Sequence, residues 1–176
     1  MIIKTDEDLQ KLKKIGGIVA ITLQTMVKSV EIGMTTKELD EIGAEVLNSY
    51  GAISAPMGVY DFPGYNCISI NGEIAHGIPQ DRKIMPGDMV NIDVSASLDG
   101  YFGDNGVTVL MAPQDRVGKK LLKASKEALA NSIRVAVAGR YLNRIGKATE
   151  DTAEKHGFYT IRNLCGHGIG RTLHDE

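Results

Sequence analysis

The dipeptide Asp99-Gly100 most constrains how this chain can fold, because it separates two stretches rich in β-branched and aromatic residues. A two-residue type I′ turn needs positive φ at both central positions, and Asp-Gly adopts that geometry readily. The sequence therefore predicts a β-hairpin over residues 89–110, in which positions equidistant from the turn face each other. Asp104 then lies opposite Ser95.

This predicted hairpin carries two aspartates on one face. Asp93 and Asp104 point to the same side because side chains alternate along a strand. They become diagonal neighbours with backbones roughly 7–8 Å apart. Two carboxylates at that distance can share a cation, which offsets the cost of placing like charges among apolar strands. The alternative is that one aspartate is a solvated edge residue and the other a turn residue, and the hairpin alone does not decide between them.

The composition is that of an ordinary globular protein with a core, since 43% of its 176 residues are hydrophobic and 24% are charged. A formal charge of −2 gives no reason to expect a nucleic-acid or membrane partner. The sequence shows neither a transmembrane-length apolar run nor a signal-peptide core. Cys67 and Cys165 are far apart and are predicted to be free thiols, which indicates the cytoplasm.

Helix signals precede the hairpin. A first helix is predicted over residues 6–30, with Thr5 as its N-cap. A second is predicted over residues 35–51, where Thr35 and Glu38 have the spacing of a capping box. Residues 54–64 are predicted to form a loop.

A helix pair then recurs after the hairpin, over residues 117–137 and 139–157. The spacing from Gly139 to Gly157 equals that from Gly33 to Gly51. We interpret this as a topological repeat whose first half is residues 1–112 and whose second half begins in residues 113–176. A second aspartate hairpin would fall beyond residue 176, so the second half is expected to be incomplete.

A glycine-rich segment near the end presents a histidine. His167 lies between Gly166 and Gly168, and the segment lacks the strand-to-helix context of a dinucleotide fingerprint. Imidazole together with carboxylates suits Zn, Fe, Mn or Co. The alternative is that His167 is a turn residue.

Three further histidines have less specific surroundings. His76 and His174 adjoin small or apolar residues, where a neutral imidazole can donate a hydrogen bond to a substrate carbonyl or a tetrahedral intermediate. Either could instead be a structural histidine. His156 is predicted to end a helix and to interact with its dipole.

In order and spacing, these motifs resemble the bacterial type I methionine aminopeptidases. The resemblance implies their fold, which is a pseudo-two-fold α/β (α+β) "pita-bread" fold with an antiparallel sheet covered by two helix pairs. It extends from Thr5 to the end of the chain as one catalytic domain, residues 1–176. The most specific segments are Cys67-Ile68-Ser69-Ile70-Asn71, His76-Gly77-Ile78-Pro79, Asn91-Ile92-Asp93-Val94, Asp99-Gly100-Tyr101 with Asp104, and Gly166-His167-Gly168-Ile169-Gly170-Arg171 with His174.

The resemblance also implies a role for each matching residue. Asp93 and Asp104 correspond to metal ligands, with Asp104 bridging both ions, and His167 corresponds to a ligand of the second ion. His76 and His174 correspond to the histidines that contact the substrate and stabilise the intermediate.

The resemblance places the pocket for the methionine side chain at four positions. Val59 replaces an aromatic residue found in some family members. Asn105 and Gly106 follow Asp104 where relatives often have Thr or Ser, which leaves the ligand itself unchanged. The four implied pocket residues are Val59, Phe62, Cys67 and Leu173.

The implied activity is removal of the N-terminal methionine from nascent chains near the ribosome by a monomeric cytoplasmic enzyme. Two divalent ions (Co, Fe, Mn or Zn) activate a water and polarise the scissile carbonyl. One of them binds the substrate's free α-amine, which restricts cleavage to the first residue.

The family also uses two glutamates, one of them bridging the ions and one of them a general base, and both correspond to positions beyond residue 176. Glu176 is too close to His174 to be either of them. Three ligands can hold one ion, so we expect at most one weakly bound ion and little or no activity from residues 1–176 alone.

Two other functions remain open at this point. The chain could be a non-catalytic remnant of the fold that binds a partner. The retained ligand and histidine positions argue against a long period of evolution without catalytic function. It could also be another pita-bread metallopeptidase, such as a proline-specific one. The short Gly-His-Gly segment argues against that second alternative.

Overall fold

The computed structural model describes residues 1–175, which form five helices and four strands. Glu176 lies outside the described residues. In chain order the elements are α1 (Asp6–Ser29), α2 (Thr36–Ser49), β1 (Ile53–Ser54), α3 (Ala55–Tyr60), β2 (Cys67–Ile70), β3 (Met89–Leu98), β4 (Tyr101–Leu110), α4 (Arg116–Val135) and α5 (Asn143–Lys155). None of these helices is both long enough and apolar enough to cross a membrane.

Strand β3 is the centre of an antiparallel sheet. It pairs with β4 along its whole length and with β1 and β2 at successive positions. The predicted register is confirmed, since Ser95 pairs with Asp104 and Asp93 pairs with Gly106. Asp99 and Gly100 have φ values of 54° and 75°, as a type I′ turn requires.

The first two helices begin as predicted. Thr5 and Asp8 form a capping box at α1, and Thr35 and Glu38 form one at α2. Helix α1 packs on the sheet and supplies much of the core. The fully buried side chains of the two layers include Ile15, Val19 and Met26 from α1, and Val90, Ile92 and Val94 from β3.

The predicted loop over residues 54–64 is partly wrong, because its first half is helix α3. The Ser54 side chain accepts a hydrogen bond from the Met57 backbone amide, 3.3 Å away, and caps the helix. Pro56 is compatible with this position because the first turn of a helix has no internal partner for its N–H groups.

Internal contacts divide the chain into two compact units. The first consists of residues 1–113 together with the described residues 167–175, and it contains the sheet and α1–α3. The second consists of residues 114–166 and contains α4 and α5. The assignment of residues 1–176 to one catalytic domain stays a prediction.

The second unit is a helix pair joined largely by small and polar side chains. The hydroxyls of Ser132 and Thr149 are 2.8 Å apart, which links α4 to α5. His156 lies at the C-cap of α5, as predicted, and its Nε2 is also 2.9 Å from a carboxylate oxygen of Glu127.

Candidate metal centre and substrate pocket

The sheet brings the two predicted aspartates together. Asp93 is half-buried on β3, and the side chain of Asp104 on β4 is 27% exposed. Burial raises the pKa of Asp93, and the charge of Asp104 and a hydrogen bond to its carboxyl group raise it further. The nearby His167 lowers the pKa of Asp93, but burial and Asp104 outweigh it. A divalent cation would relieve this cost of placing two carboxyl groups together.

His167 faces this pair with the ring nitrogen that a metal would need. Its Nδ1 donates to the Gly168 carbonyl at 2.8 Å, so Nε2 carries the lone pair. Nε2 lies 3.6 Å from Oδ2 of Asp104. Two ligands of one tetrahedral ion with bonds near 2.1 Å are about 3.4 Å apart. The chemistry and separation of these two donors therefore fit a metal ion.

The three predicted ligands do not converge on one ion position. Within residues 1–175, no three His, Cys, Asp or Glu side chains lie close enough together to hold a metal ion as they stand. Instead, Asp104 contacts Asp93 on one side and approaches His167 on the other. This arrangement has the connectivity of the predicted ligand set, with Asp104 in the middle.

Residues 167–175, here called the histidine hairpin, bring two histidines together. The backbone amides of Gly168 and Asp175 each donate to the other residue's carbonyl, at 2.9 and 3.0 Å. The rings of His167 and His174 are consequently 4.3 Å apart, edge to face. Gly168 is required by this pairing, because a Cβ there would lie 2.7 Å from the Asp175 carbonyl oxygen.

Tyr60 contacts a candidate site histidine, and the sequence alone does not predict this contact. Its hydroxyl oxygen lies 2.5 Å from Nδ1 of His174. A neutral imidazole nitrogen is a better acceptor than a phenol oxygen, so we assign Tyr60 as the donor. Nε2 of His174 then carries the proton. Tyr60 is the last residue of α3, and the sequence around it contains no signal for a histidine partner.

Two of the predicted pocket residues are buried. Cys67 pairs with Asp93 across β2 and β3 and is 6% exposed. Burial and the neighbouring aspartates raise the pKa of Cys67 to about 12. Leu173 in the histidine hairpin is also 6% exposed. Val59 on α3 is 46% exposed, and Phe62 follows shortly after this helix.

His76 is not part of the histidine pair formed by His167 and His174. Among the described residues, no hydrogen bond or ring contact joins it to His167 or His174. Its φ of 55° is unusual for a residue with a side chain, and such strain is often found at functional sites. The adjacent Gly77 is bound to β2 through its carbonyl and the Ile68 amide, 2.9 Å apart.

The buried side chain of Asp40 hydrogen-bonds the backbone between Tyr60 and β2. The Asp40 side chain accepts hydrogen bonds from the amides of Tyr65 and Asn66, at 3.0 and 2.7 Å. Ser54 donates to the Tyr65 carbonyl at 2.7 Å. These bonds bring the chain into β2 and so position Cys67 beside Asp93. Nothing in the local sequence around Asp40 signals these long-range bonds.

The antiparallel sheet of this α/β chain places two aspartates beside the histidine hairpin. Carboxylate and imidazole donors in this arrangement are typical of a metal-dependent hydrolase. The chain belongs to metallopeptidase family M24, whose sequence profile matches residues 10–176.

Within that family, the chain is similar to methionine aminopeptidases. Methionine aminopeptidase 2 of Bacillus subtilis (strain 168) is 46% identical over 176 residues, which are 99% of this chain and 71% of the relative. The methionine aminopeptidase of Rickettsia prowazekii superposes with a TM-score of 0.95 at 36% identity, covering 100% of this chain and 71% of the other. The resemblance to bacterial methionine aminopeptidases is thus confirmed.

The fold extends beyond these enzymes. The prolidase of Pyrococcus furiosus superposes with a TM-score of 0.85 at 21% identity, covering 99% of this chain and 50% of the prolidase. At that identity the match shows a shared fold alone. The pita-bread fold is confirmed.

Proposed function

We propose that this chain is the metal-binding and substrate-facing part of a methionine aminopeptidase, which removes the N-terminal methionine of a peptide. The observation that carries the proposal is the contact series Asp93–Asp104–His167, with the His174 ring 4.3 Å from His167. Membership in family M24 and relatives named methionine aminopeptidase support this reaction class.

Asp93, Asp104 and His167 would hold the metal. Carboxylate and imidazole donors suit Co, Fe, Mn or Zn, and the family resemblance implies two ions in the complete enzyme. When bound, such ions lower the pKa of a water and polarise a carbonyl. The chain's own contribution is orientation, because the Gly168 carbonyl holds Nδ1–H of His167 so that Nε2 faces Asp104.

His174 and His76 would act on the substrate. With Tyr60 donating to Nδ1, His174 presents Nε2–H as a donor for a substrate carbonyl and for the oxyanion of the intermediate. Buried Cys67 and Leu173, with Val59 and Phe62, would receive the methionine side chain, since a thioether packs well in an apolar pocket.

The number of ligands limits what residues 1–176 do when studied alone. The three proposed ligands suffice for one ion with open positions but not for the two-ion arrangement of the family. We therefore propose one weakly held ion and slow or absent peptide hydrolysis for this stretch by itself.

The proposed setting is the cytoplasm, with nascent chains near the ribosome as substrates and a monomeric complete enzyme. Cys67 and Cys165 are both free thiols, which supports a reducing compartment.

The test compares two peptides, Met-Ala-Ser and its N-acetylated form, binding to the 176-residue chain with Mn²⁺ present. We expect only the free-amine peptide to bind. Asp104→Asn should abolish this binding, whereas Asp99→Asn should preserve it. Asp99→Asn removes a carboxylate from the turn of the same hairpin, and Asn tolerates its positive φ.

Two results would overturn the proposal. Equal binding of both peptides would show that the α-amine is not recognised, and no binding of either would remove the substrate site. Methionine release as fast as that of the Bacillus subtilis relative assayed in parallel would contradict the limit set by three ligands.

A further inference from the structure

Arg171 lies at the tip of the histidine hairpin and has no assigned role in the proposed reaction. Its guanidinium carbon lies 3.8 Å from the centroid of the Tyr101 ring, which is a stacked cation–π contact. One of its nitrogens donates to the Tyr101 hydroxyl and, at 3.3 Å, to Oδ1 of Asp8. Arg171 therefore joins the hairpin to both β4 and α1.

Asp8 connects this contact to the start of α1. Its Oδ2 accepts from the Thr5 amide at 3.1 Å and the Thr5 hydroxyl at 2.9 Å, as part of the capping box. Its Oδ1 accepts from the Tyr101 hydroxyl at 2.6 Å. These hydrogen bonds, led by the one from Tyr101, hold the pKa of Asp8 well below its usual range. Asp8 is thus an ionised acceptor that serves two elements.

The position of Tyr101 links the cluster to the candidate metal centre. Tyr101 is 1% exposed and begins β4, the strand that also carries Asp104. The next residue, Phe102, donates its backbone amide to the Gly170 carbonyl at 2.9 Å. The tip of the hairpin is therefore attached to the same strand as a proposed ligand, at two adjacent residues.

We infer that Asp8, Tyr101 and Arg171 are positioning residues that hold the histidine hairpin against β4 and so set the separation of His167 from Asp104. The inference rests on the proposed function, because it assigns the three residues to the metal centre of that reaction. None of them is a ligand or touches the reacting atoms.

The geometry distinguishes this cluster from an ordinary surface ion pair. An exposed pair contributes little, and the Arg171 side chain is 54% exposed. Here, however, the planar guanidinium stacks on a buried ring and donates to two acceptors that are 13% exposed or less. A lysine cannot reproduce the planar stacking on the Tyr101 ring, so Lys and Arg are not equivalent at this position.

The first experiment measures hairpin order in the metal-free chain. Arg171→Met keeps an apolar stem and removes the guanidinium, and Arg162→Met is the matched control on an exposed arginine of the other unit. We expect amide exchange at Gly168 and Asp175 to rise about tenfold or more in Arg171→Met, because hydrogen bonds to charged groups are the stronger ones. Exchange at Ile92 in the core should not change.

The second experiment titrates Mn²⁺ into the same variants. Loss of outer contacts around a metal site lowers affinity by about 10–100-fold, and we expect Arg171→Met to fall in that range. Arg171→Lys should restore little of the loss. Tyr101→Phe removes the hydroxyl and keeps the ring, so it should give a partial effect, which keeps the inference testable if Arg171→Met fails to fold.

The outcomes separate the two proposals. Unchanged exchange and unchanged affinity in Arg171→Met would overturn the positioning role, as would equal acceleration of exchange at Ile92. If Arg171→Met loosens the histidine hairpin but the wild-type chain binds no Mn²⁺, the proposed function is wrong. The role of Arg171 in holding the hairpin against β4 then still stands.

Discussion

Nε2 of His167 lies 3.6 Å from Oδ2 of Asp104, and the other ring nitrogen of His167 donates to the Gly168 carbonyl. The first contact joins the histidine hairpin to β4, and the second fixes which nitrogen faces the carboxylate. At the proposed metal centre, we therefore expect metal affinity to depend on how precisely the hairpin is held in place as well as on which ligands are present.

Gly168→Ala should damage the site without removing a ligand. The added Cβ would lie 2.7 Å from the Asp175 carbonyl oxygen, a backbone atom that cannot move independently of the hairpin. We expect the hairpin to open at this pair at a cost of about 1–3 kcal/mol, as for other overpacked positions. Calorimetric titration with Mn²⁺ should show the matching loss of affinity.

Gly166→Ala is the control for that substitution. A Cβ at Gly166 would meet no atom within 4 Å, although both glycines flank His167. Its Mn²⁺ affinity should equal that of the wild type. Equal losses in the two variants would show that general stiffening of the segment, rather than the close approach at Gly168, determines affinity.

Tyr60→Phe should change the tautomer of His174. The wild-type hydroxyl lies 2.5 Å from Nδ1, so long-range ¹H–¹⁵N spectra of the imidazole should show the Nε2–H form. Without the hydroxyl, we expect a mixture of tautomers. Tyr159→Phe, at an 87% exposed tyrosine, should leave the His174 signals unchanged. A wild-type His174 protonated at Nδ1 would contradict the assigned donor.

Asp40 should make the chain less stable as pH rises. Burial raises its pKa, and this outweighs the hydrogen bonds from Tyr65 and Asn66, which lower it. A group with a raised folded-state pKa gives its full stabilisation below the unfolded value, about 3.9, and loses it as pH rises through the folded value. The stability advantage of the wild type over Asp40→Asn should therefore shrink as pH rises above about 4.

Urea unfolding at a series of pH values measures this difference. Asp81→Asn, at an exposed aspartate, is the reference for removal of one carboxylate. An advantage that grows with pH would mean that the hydrogen bonds to ionised Asp40 outweigh its burial, which is the opposite sign.

The sequence predicted the elements whose signals are local. Asp99-Gly100 defined the register of the hairpin and hence the diagonal placement of Asp93 and Asp104. The N-cap signal at Thr5 and the capping-box spacing at Thr35 located two helix starts. In each case the residues that determine the geometry are within a few positions of one another, so no knowledge of tertiary packing was needed.

What the sequence did not predict depends on contacts between distant segments. Helix α3 lies where a loop is predicted. Pro56 and Gly58 weigh against helix there, although Ser54 before Pro56 is a recognisable start signal. The Tyr60–His174 bond and the stacking of Arg171 on Tyr101 have no local signal. They form only when the histidine hairpin packs against distant segments of the first unit.

The proposed metal centre is tested by calorimetric titration of the metal-free chain with Mn²⁺, repeated for Asp93→Asn, Asp104→Asn and His167→Gln. The control is His156→Gln, which removes a histidine paired with Glu127 in the other unit. Thermal unfolding of each variant confirms that it is folded. We expect one ion per wild-type chain, an affinity at least about tenfold lower in each of the three variants, and no change in the control. Wild-type affinity in Asp104→Asn, or an equal loss in His156→Gln, would contradict the proposed metal centre.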